Sequence, residues 1–111
     1  MSRVFVLRKQ PNMDYSAAAH FGELVSLMDG QKVNQYDPDQ MSEFFVQTFE
    51  QYEFDPEKDY VLMAGTNIAI AQMFVFLLVN YGTIHCLNFN PLEVKYFETI
   101  YALEDYTYDP A

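Results

Sequence analysis

The alternation of apolar and polar positions along the chain predicts five strands and two long helices. In residues 3–8, Val4 and Val6 alternate with Phe5 and Leu7, so both faces of this segment are apolar, as in a strand covered on both sides. Similar short apolar runs predict the other strands, at 23–28, 60–64, 83–89 and 94–103. The resulting order is strand, strand, helix, strand, helix, strand, strand. It predicts a single compact α/β domain with a mixed, mostly parallel sheet of four or five strands and two main helices.

The first helix has the clearest start and end signals. Asp37 is the predicted N-cap, Pro38 suits the first helical position, and Gln40 stands where the partner in a capping box belongs. Large apolar groups then recur at helical spacing, at Met41, Phe44, Phe45, Phe49 and Tyr52. Pro56 ends the helical pattern, because its ring cannot continue the hydrogen-bond ladder. We therefore expect this helix to pack on a flat apolar surface.

Residues 60–81, YVLMAGTNIAIAQMFVFLLVNY, contain no charged side chain. Their length matches a membrane-spanning helix, which needs about 20 apolar residues. However, Gly65-Thr66-Asn67 has the composition of a turn, and Gln72 interrupts the apolar part. We therefore predict a strand up to Ala64, a turn at Gly65, and a helix capped by Thr66 or Asn67 that ends before Gly82. No membrane span is expected.

The predicted second helix is apolar on nearly all sides between Ile68 and Val79. A sheet covers only one side of a helix, so the opposite side needs cover from another element or from another subunit. Self-association into a homo-oligomer is the natural source of that cover. The many tyrosines are expected to serve the sheet and the interface, since tyrosine buries a ring while its hydroxyl stays in water.

Composition limits the partners of the chain. Its 111 residues fit one domain, and sixteen acids against six bases give a net charge of −10. Such a charge repels nucleic acid and anionic membranes, so direct binding to either is not expected. The single Cys86 forms no internal disulfide and no export signal is recognisable, which favours the cytoplasm. Residues 104–111 are predicted to form an acidic, aromatic tail.

A second interpretation of the acidity is a DNA-mimic inhibitor of a host DNA-binding protein. Between Asp37 and Asp59, eight acids accompany the single base Lys58. Spaced carboxylates can stand in for DNA phosphates, although runs of this kind usually form a solvated surface. This role remains an alternative.

The turn at Gly65, Thr66 and Asn67 is the one candidate ligand site. A strand that leads through a glycine turn into a helix presents free N–H groups and the positive end of the helix dipole, which suits phosphate. The turn lacks the G-x-G-x-x-G dinucleotide pattern and the lysine of a phosphate-binding loop. The structural interpretation, in which these residues start a helix, is preferred, and small-ligand or nucleotide binding is the alternative.

The remaining reactive side chains predict neither a metal site nor a catalytic site. His85 and Cys86 are adjacent on a strand and therefore point to opposite faces, and Cys86 resembles an inert core thiol. Asp55, Glu57 and Asp59 alternate in a segment interpreted as a solvated acidic loop, because Pro56 intrudes and the glycine of a calcium loop is missing. No cofactor is expected, and the protein is predicted not to be an enzyme.

Three blocks carry a resemblance to a known group of proteins: FGELVSLM, DYVLMAGTNIAIAQ and TIHCLNFNPLEVKYF. Their order resembles small proteins of tailed bacteriophages, particularly marine ones, in which the second block reads D-Y-L-L-L-x-G-D-P-x-x-I and precedes an alanine-rich helix. This chain departs from that pattern at Thr66-Asn67 and in the bulkier residues 73–78. The resemblance implies a phage protein that acts in a host cytoplasm, and it implies no activity. We therefore expect a non-enzymatic protein that works through contacts with itself or with another phage or host protein.

Overall fold

The computed structural model describes residues 2–10 and 13–108. It contains five strands and two helices in the predicted order. They are β1 Arg3–Val6, β2 Glu23–Ser26, α1 Pro38–Gln51, β3 Tyr60–Leu62, α2 Asn67–Tyr81, β4 Thr83–Asn90 and β5 Lys95–Ala102. Two 3-10 turns, Ala18–His20 and Leu103–Tyr106, complete the regular structure. The prediction of a single α/β domain is confirmed.

The strands form one sheet in the order β2-β1-β3-β4-β5. β1 pairs in parallel with both β2 and β3, and β3 pairs in parallel with β4. β5 is antiparallel to β4, in a ladder of eight residue pairs against three or four pairs in each parallel ladder. The sheet is therefore mixed, and the predicted excess of parallel pairing is too strong because the one antiparallel ladder is the longest.

Both faces of the sheet are buried, as the apolar pattern of β1 predicts. On one face, here called the helix face, Phe5, Leu7, Val61, Ile84 and Cys86 pack against α1 and α2. The opposite face, here called the back face, packs against the segment between β1 and β2. Its core consists of Val4, Val6, Ala18, Leu62, Ala64, Leu87 and Tyr96.

α1 begins where its sequence signals place it. The Asp37 carboxylate accepts hydrogen bonds from the backbone N–H groups of Asp39 and Gln40, which satisfies two of the free donors of the first turn. Met41, Phe45 and Phe49 are fully buried against the sheet, and Phe49 meets Phe54 edge to face, with ring centroids 5.1 Å apart. Phe49 also meets Phe5 of β1 edge to face, with ring centroids 5.7 Å apart, which anchors α1 on β1.

The uncharged stretch 60–81 bends at Gly65 into β3 and α2, as predicted. The Thr66 hydroxyl caps α2 by accepting from the N–H of Ala69, and Gly82 ends the helix in the left-handed conformation with φ 81°. The buried side of α2 consists of Ala69, Met73, Leu77 and Leu78. Within residues 2–10 and 13–108, no helix is both long enough and apolar enough to cross a membrane.

The prediction of a solvated acidic loop before β3 is wrong for Asp59, which is buried. Its side chain is 2% exposed and forms an ion pair with Arg3, at 2.9 Å between Oδ2 and Nη2. Asp59 also accepts hydrogen bonds from the backbone N–H groups of Arg3 and Asp55. The prediction failed here because the partner of Asp59 lies 56 positions earlier in the chain.

Candidate functional site

The predicted turn lies at a topologically special place in the sheet. The connection from β1 to β2 crosses the back face, whereas α2 carries the chain from β3 to β4 across the helix face. The chain therefore leaves β1 and β3 in opposite directions, and open α/β sheets bind ligands at such a divergence, at the carboxyl ends of the strands. A cleft of about 580 Å³ lies there, lined by Gln10, Met13, Met63, Ala64, Gly65, Asn67 and Ile70.

The Thr66 side chain of this turn is occupied by contacts within the chain. The Thr66 hydroxyl caps α2 and also donates to the side-chain oxygen of Gln35 at 2.5 Å. Gln72 donates to the backbone oxygen of Gln35 at 2.9 Å, which ties the loop before α1 to the first turns of α2. Gly65 and Asn67 line the cleft, as the alternative interpretation requires, but Thr66 does not. The lining contains no lysine or arginine to hold a phosphate.

The outer side of α2 is an exposed apolar surface. Ile68, Ala71, Val75 and Val79 recur on one side of the helix, and we call this set the α2 ridge. Val75 is 59% exposed and Val79 is 65% exposed. The ridge carries no charge, because no residue between Asn67 and Tyr81 is ionised at neutral pH.

Two apolar grooves flank the α2 ridge. One, of about 470 Å³, lies between α1 and α2 and is lined by residues that include Pro38, Phe45 and Phe76. The other, of about 340 Å³, lies between α2 and the sheet and is lined by residues that include Ile70, Phe74 and Tyr101. Ala71 and Val75 line both grooves, and neither lining contains an acid or a base. This arrangement suits an apolar protein surface better than a polar ligand.

β5 continues this apolar surface at the edge of the sheet. Phe97, on the helix face, is 45% exposed, and Ile100, on the back face, is 56% exposed. Phe74 of α2 packs edge to face on Tyr101 of β5, with ring centroids 5.1 Å apart. Phe97 and Tyr101 of the last strand therefore extend the apolar surface of the second helix on the helix face, whereas Ile100 is exposed on the opposite face. Sequence reasoning identified the helix but missed Phe97 and Ile100, because a strand with apolar residues on both sides does not reveal which of them neighbouring elements leave uncovered.

The reactive side chains occupy separate places. Cys86 is fully buried on the helix face, and burial raises the pKa of its thiol to about 12. His85 points to the back face, where its Nδ1 lies 3.5 Å from the Glu98 carboxylate. Nearby Tyr60 has a raised pKa, chiefly because of burial and also because of Glu98. The opposed orientation of His85 and Cys86 is as predicted. In the described part of the chain, no cluster of three or more His, Cys, Asp or Glu side chains is arranged to hold a metal ion.

The fold and surface together define a small acidic α/β domain with an uncharged helix and an open sheet edge. Residues 2–103 match the model of a family described as Phage Pam3 gp32-like protein. The chain belongs to this family, and the resemblance to bacteriophage proteins is therefore confirmed. Searches of curated proteins and of solved structures found no match to the chain.

Proposed function

We propose that this phage protein is a non-enzymatic domain that acts through protein contacts and associates with itself in the cytoplasm of the host. The observation that carries the proposal is the α2 ridge, an exposed apolar surface on a protein with a net charge of −10. Exposed apolar patches of this kind mark protein interfaces in soluble domains. Its partner is a second copy in the first instance, with another phage or host protein as a further candidate.

The distribution of charge favours a second copy as the partner. Two copies with the same strong negative charge repel each other wherever their acidic surfaces meet. The α2 ridge and both of its grooves lack acids, so copies that meet there bring no carboxylates together. Completing the burial of Val75 and Val79 contributes about 1 kcal/mol for each side chain, since full burial of such residues is worth roughly 1.5–3 kcal/mol.

The test is the molar mass measured by light scattering across a wide range of protein concentration. We expect a monomer that converts to a dimer as the concentration rises, and we expect Val75→Glu to shift that transition to higher concentration. Leu92→Glu is the matched control, because Leu92 is 93% exposed on the turn between β4 and β5 and lies outside the α2 ridge. A wild-type protein that stays monomeric at the highest concentration contradicts the proposal. If the two variants have equal effects, the copies do not associate through the α2 ridge.

The second candidate function is small-ligand or nucleotide binding in the cleft at Gly65 and Asn67. The observation that favours it is the position of this cleft at the divergence of β1 and β3. A thermal-shift assay with individual nucleotides tests it, because a ligand present at about one hundred times its Kd adds roughly 2.7 kcal/mol to stability. Loss of the shift in Asn67→Ala locates the site, and no shift with any nucleotide opposes nucleotide binding. The DNA-mimic alternative has less support, because Asp59 is buried in its ion pair with Arg3.

A further inference from the structure

β5 presents unpaired backbone groups along the outer edge of the sheet. It pairs with β4 alone among the described strands. The N–H of Leu103 donates to the carbonyl oxygen of Gly82 at 2.8 Å, which continues the register of Thr83 with Ala102. Since bonded pairs alternate along an antiparallel ladder, the odd-numbered residues of β5 bond to β4. The N–H and C=O groups of Tyr96, Glu98 and Ile100 therefore point outward.

This edge has little of the protection that sheet edges usually carry. Natural edge strands are blunted by short length, proline, bulges or charged side chains. β2, at the other edge, has four residues, whereas β5 has eight and contains no proline. Its two charged residues are Lys95, in an exposed ion pair with Glu93 at 3.1 Å, and Glu98, 3.5 Å from His85 on the back face. The edge of β5 is therefore suited to pair with another strand.

We propose that β5 pairs antiparallel with β5 of a second copy about a two-fold axis at Thr99. This inference rests on the proposed self-association and assigns it a strand, a partner and a register. A two-fold axis perpendicular to the sheet keeps the helix faces of both copies on the same side. Two residues that lie opposite each other across the axis therefore have both odd or both even numbers. The axis passes midway between one β5 residue and the same residue of the second copy.

The length and the charges of β5 select Thr99 as that residue. The middle of Lys95–Ala102 lies between Glu98 and Thr99, so an axis at either of these gives the longest overlap, seven residues in each copy. An axis at Glu98 places the two Glu98 side chains directly opposite each other, which is destabilising. An axis at Thr99 instead places Phe97 of each copy opposite Tyr101 of the other, which gives two such pairs. It also places Glu98 opposite Ile100. Aromatic cross-strand pairs of this kind are favourable.

The same pairing covers the apolar groove between α2 and the sheet. α2 packs on β4, and in the dimer the two β4 strands lie three strand spacings apart, about 14 Å. Helices in contact lie about 8–10 Å apart, so the two α2 helices leave a narrow gap above the paired β5 strands. Phe74, Phe97 and Tyr101 of both copies project into this gap. The dimer thus covers the β5 side of the α2 ridge and the exposed Phe97 in one interface.

Disulfide formation by single introduced cysteines tests the register. In this register, Thr99 lies opposite Thr99 of the second copy, at a non-hydrogen-bonded position. Cα atoms at such positions are about 4.5 Å apart, within the range of about 4.4–6.8 Å that a disulfide allows. All of the cysteine variants also carry Cys86→Ala, because Cys86 lies directly opposite Thr99 in the β4–β5 ladder and could otherwise form a disulfide with the introduced cysteine within one copy. Under mild oxidation we expect Thr99→Cys to form covalent dimers at least about tenfold faster than Leu92→Cys, the exposed control for random collisions. Preferential cross-linking of Phe97→Cys or Glu98→Cys overturns the axis at Thr99.

A second measurement keeps the inference testable if the cysteine variant is unstable. Phe97→Glu places a charge opposite Tyr101 of the second copy, so light scattering should show a monomer at concentrations where Leu92→Glu is a dimer. If the wild type dimerises while Phe97→Glu has no effect and no β5 cysteine cross-links, β5 pairing is wrong and the self-association proposal stands. If the wild type never dimerises, both fail.

Discussion

Replacing Asp59 by alanine is the sharpest test of what holds the amino-terminal edge of the sheet together. Its carboxylate accepts from Nη2 of Arg3 at 2.9 Å, from Nε of Arg3 at 3.4 Å and from the N–H of Asp55 at 2.9 Å. It also accepts from the N–H of Arg3 at 3.1 Å. Asp59→Ala therefore leaves a mostly buried guanidinium without its counter-charge and two backbone donors without an acceptor. All of these groups lie at the start of β1 and β3, between the sheet and the end of α1.

The expected loss is large because one partner of a buried pair is removed. Breaking such a pair costs about 3–5 kcal/mol, since the remaining charge has lost most of its water; the Arg3 side chain is 25% exposed. A domain of this size has roughly 5–15 kcal/mol of stability in total. At about 4–8 °C per kcal/mol for a chain near 100 residues, the melting temperature should fall by at least about 12 °C. Arg3 also lies 5.1 Å from the ring centroid of Phe5, so the variant is expected to loosen aromatic packing at that edge.

Urea denaturation followed by circular dichroism measures the free energy of unfolding of the wild type and the variant. Glu93→Ala is the matched control, because Glu93 forms an ion pair with Lys95 of similar length, 3.1 Å, between side chains that are both more than half exposed. That pair should contribute less than about 1 kcal/mol. A loss of less than about 1 kcal/mol in Asp59→Ala would refute the assignment of Asp59 as a buried structural charge. Equal losses in the two variants would do the same.

Two further predictions concern the core thiol and a close backbone approach. Burial raises the pKa of Cys86 from 9.0 to about 12, so the thiol ionises first in the unfolded chain. The contribution of this thiol to stability is therefore complete well below pH 9 and is lost as the pH rises toward 12, by about 1 kcal/mol between pH 9 and pH 10. Denaturant titrations at these two pH values should show a smaller fall in Cys86→Ala than in the wild type, by about 1 kcal/mol. Part of the fall should persist in the variant, because burial also raises the pKa values of Tyr60, Tyr81 and Tyr96. A Cβ on Gly22 would lie 2.7 Å from the carbonyl carbon of Ser2, whereas one on Gly30 meets no atom within 4 Å. Gly22→Ala should therefore lower the free energy of unfolding by about 1–3 kcal/mol more than Gly30→Ala, and equal losses would contradict the close approach.

Local signals explain why much of the fold is predictable from the sequence. Asp37 and Pro38 fix the start of α1, and Thr66 and Gly82 fix both ends of α2, because each acts on backbone groups within one helical turn. Asp59 could not be assigned in this way, since its burial depends on Arg3 in another strand. The strand order was also beyond reach, because the apolar pattern of a strand covered on both faces does not identify its neighbours.

The candidate surface was predictable in part. The sequence shows that α2 is apolar on nearly every side, and it therefore predicts a need for cover. A helix without a polar stripe does not reveal which side faces the sheet, so the α2 ridge of Ile68, Ala71, Val75 and Val79 follows only from the positions of α1 and β4. β5 contributes to the candidate surface because it lies at the edge of the described sheet, and the sequence pattern does not show which strand lies at the edge.

A comparison of α1 with α2 separates what folding requires on the helix face from what function requires there. The two helices have nearly equal lengths, 14 and 15 residues, and both pack on the same face of the sheet. The outer side of α1 carries Glu43 and Glu50, as a solvated helix usually does, whereas the outer side of α2 carries valines. The fold of the monomer thus accepts charges on one outer helix surface, and it gives no reason to exclude them from the other. A lysine at Val75 should accordingly leave the free energy of unfolding of the monomer within about 0.5 kcal/mol of the wild type while it weakens association, because surface changes away from special features are nearly neutral. If Val75→Lys instead destabilises the monomer by several times that amount, the α2 ridge serves the fold and not a partner.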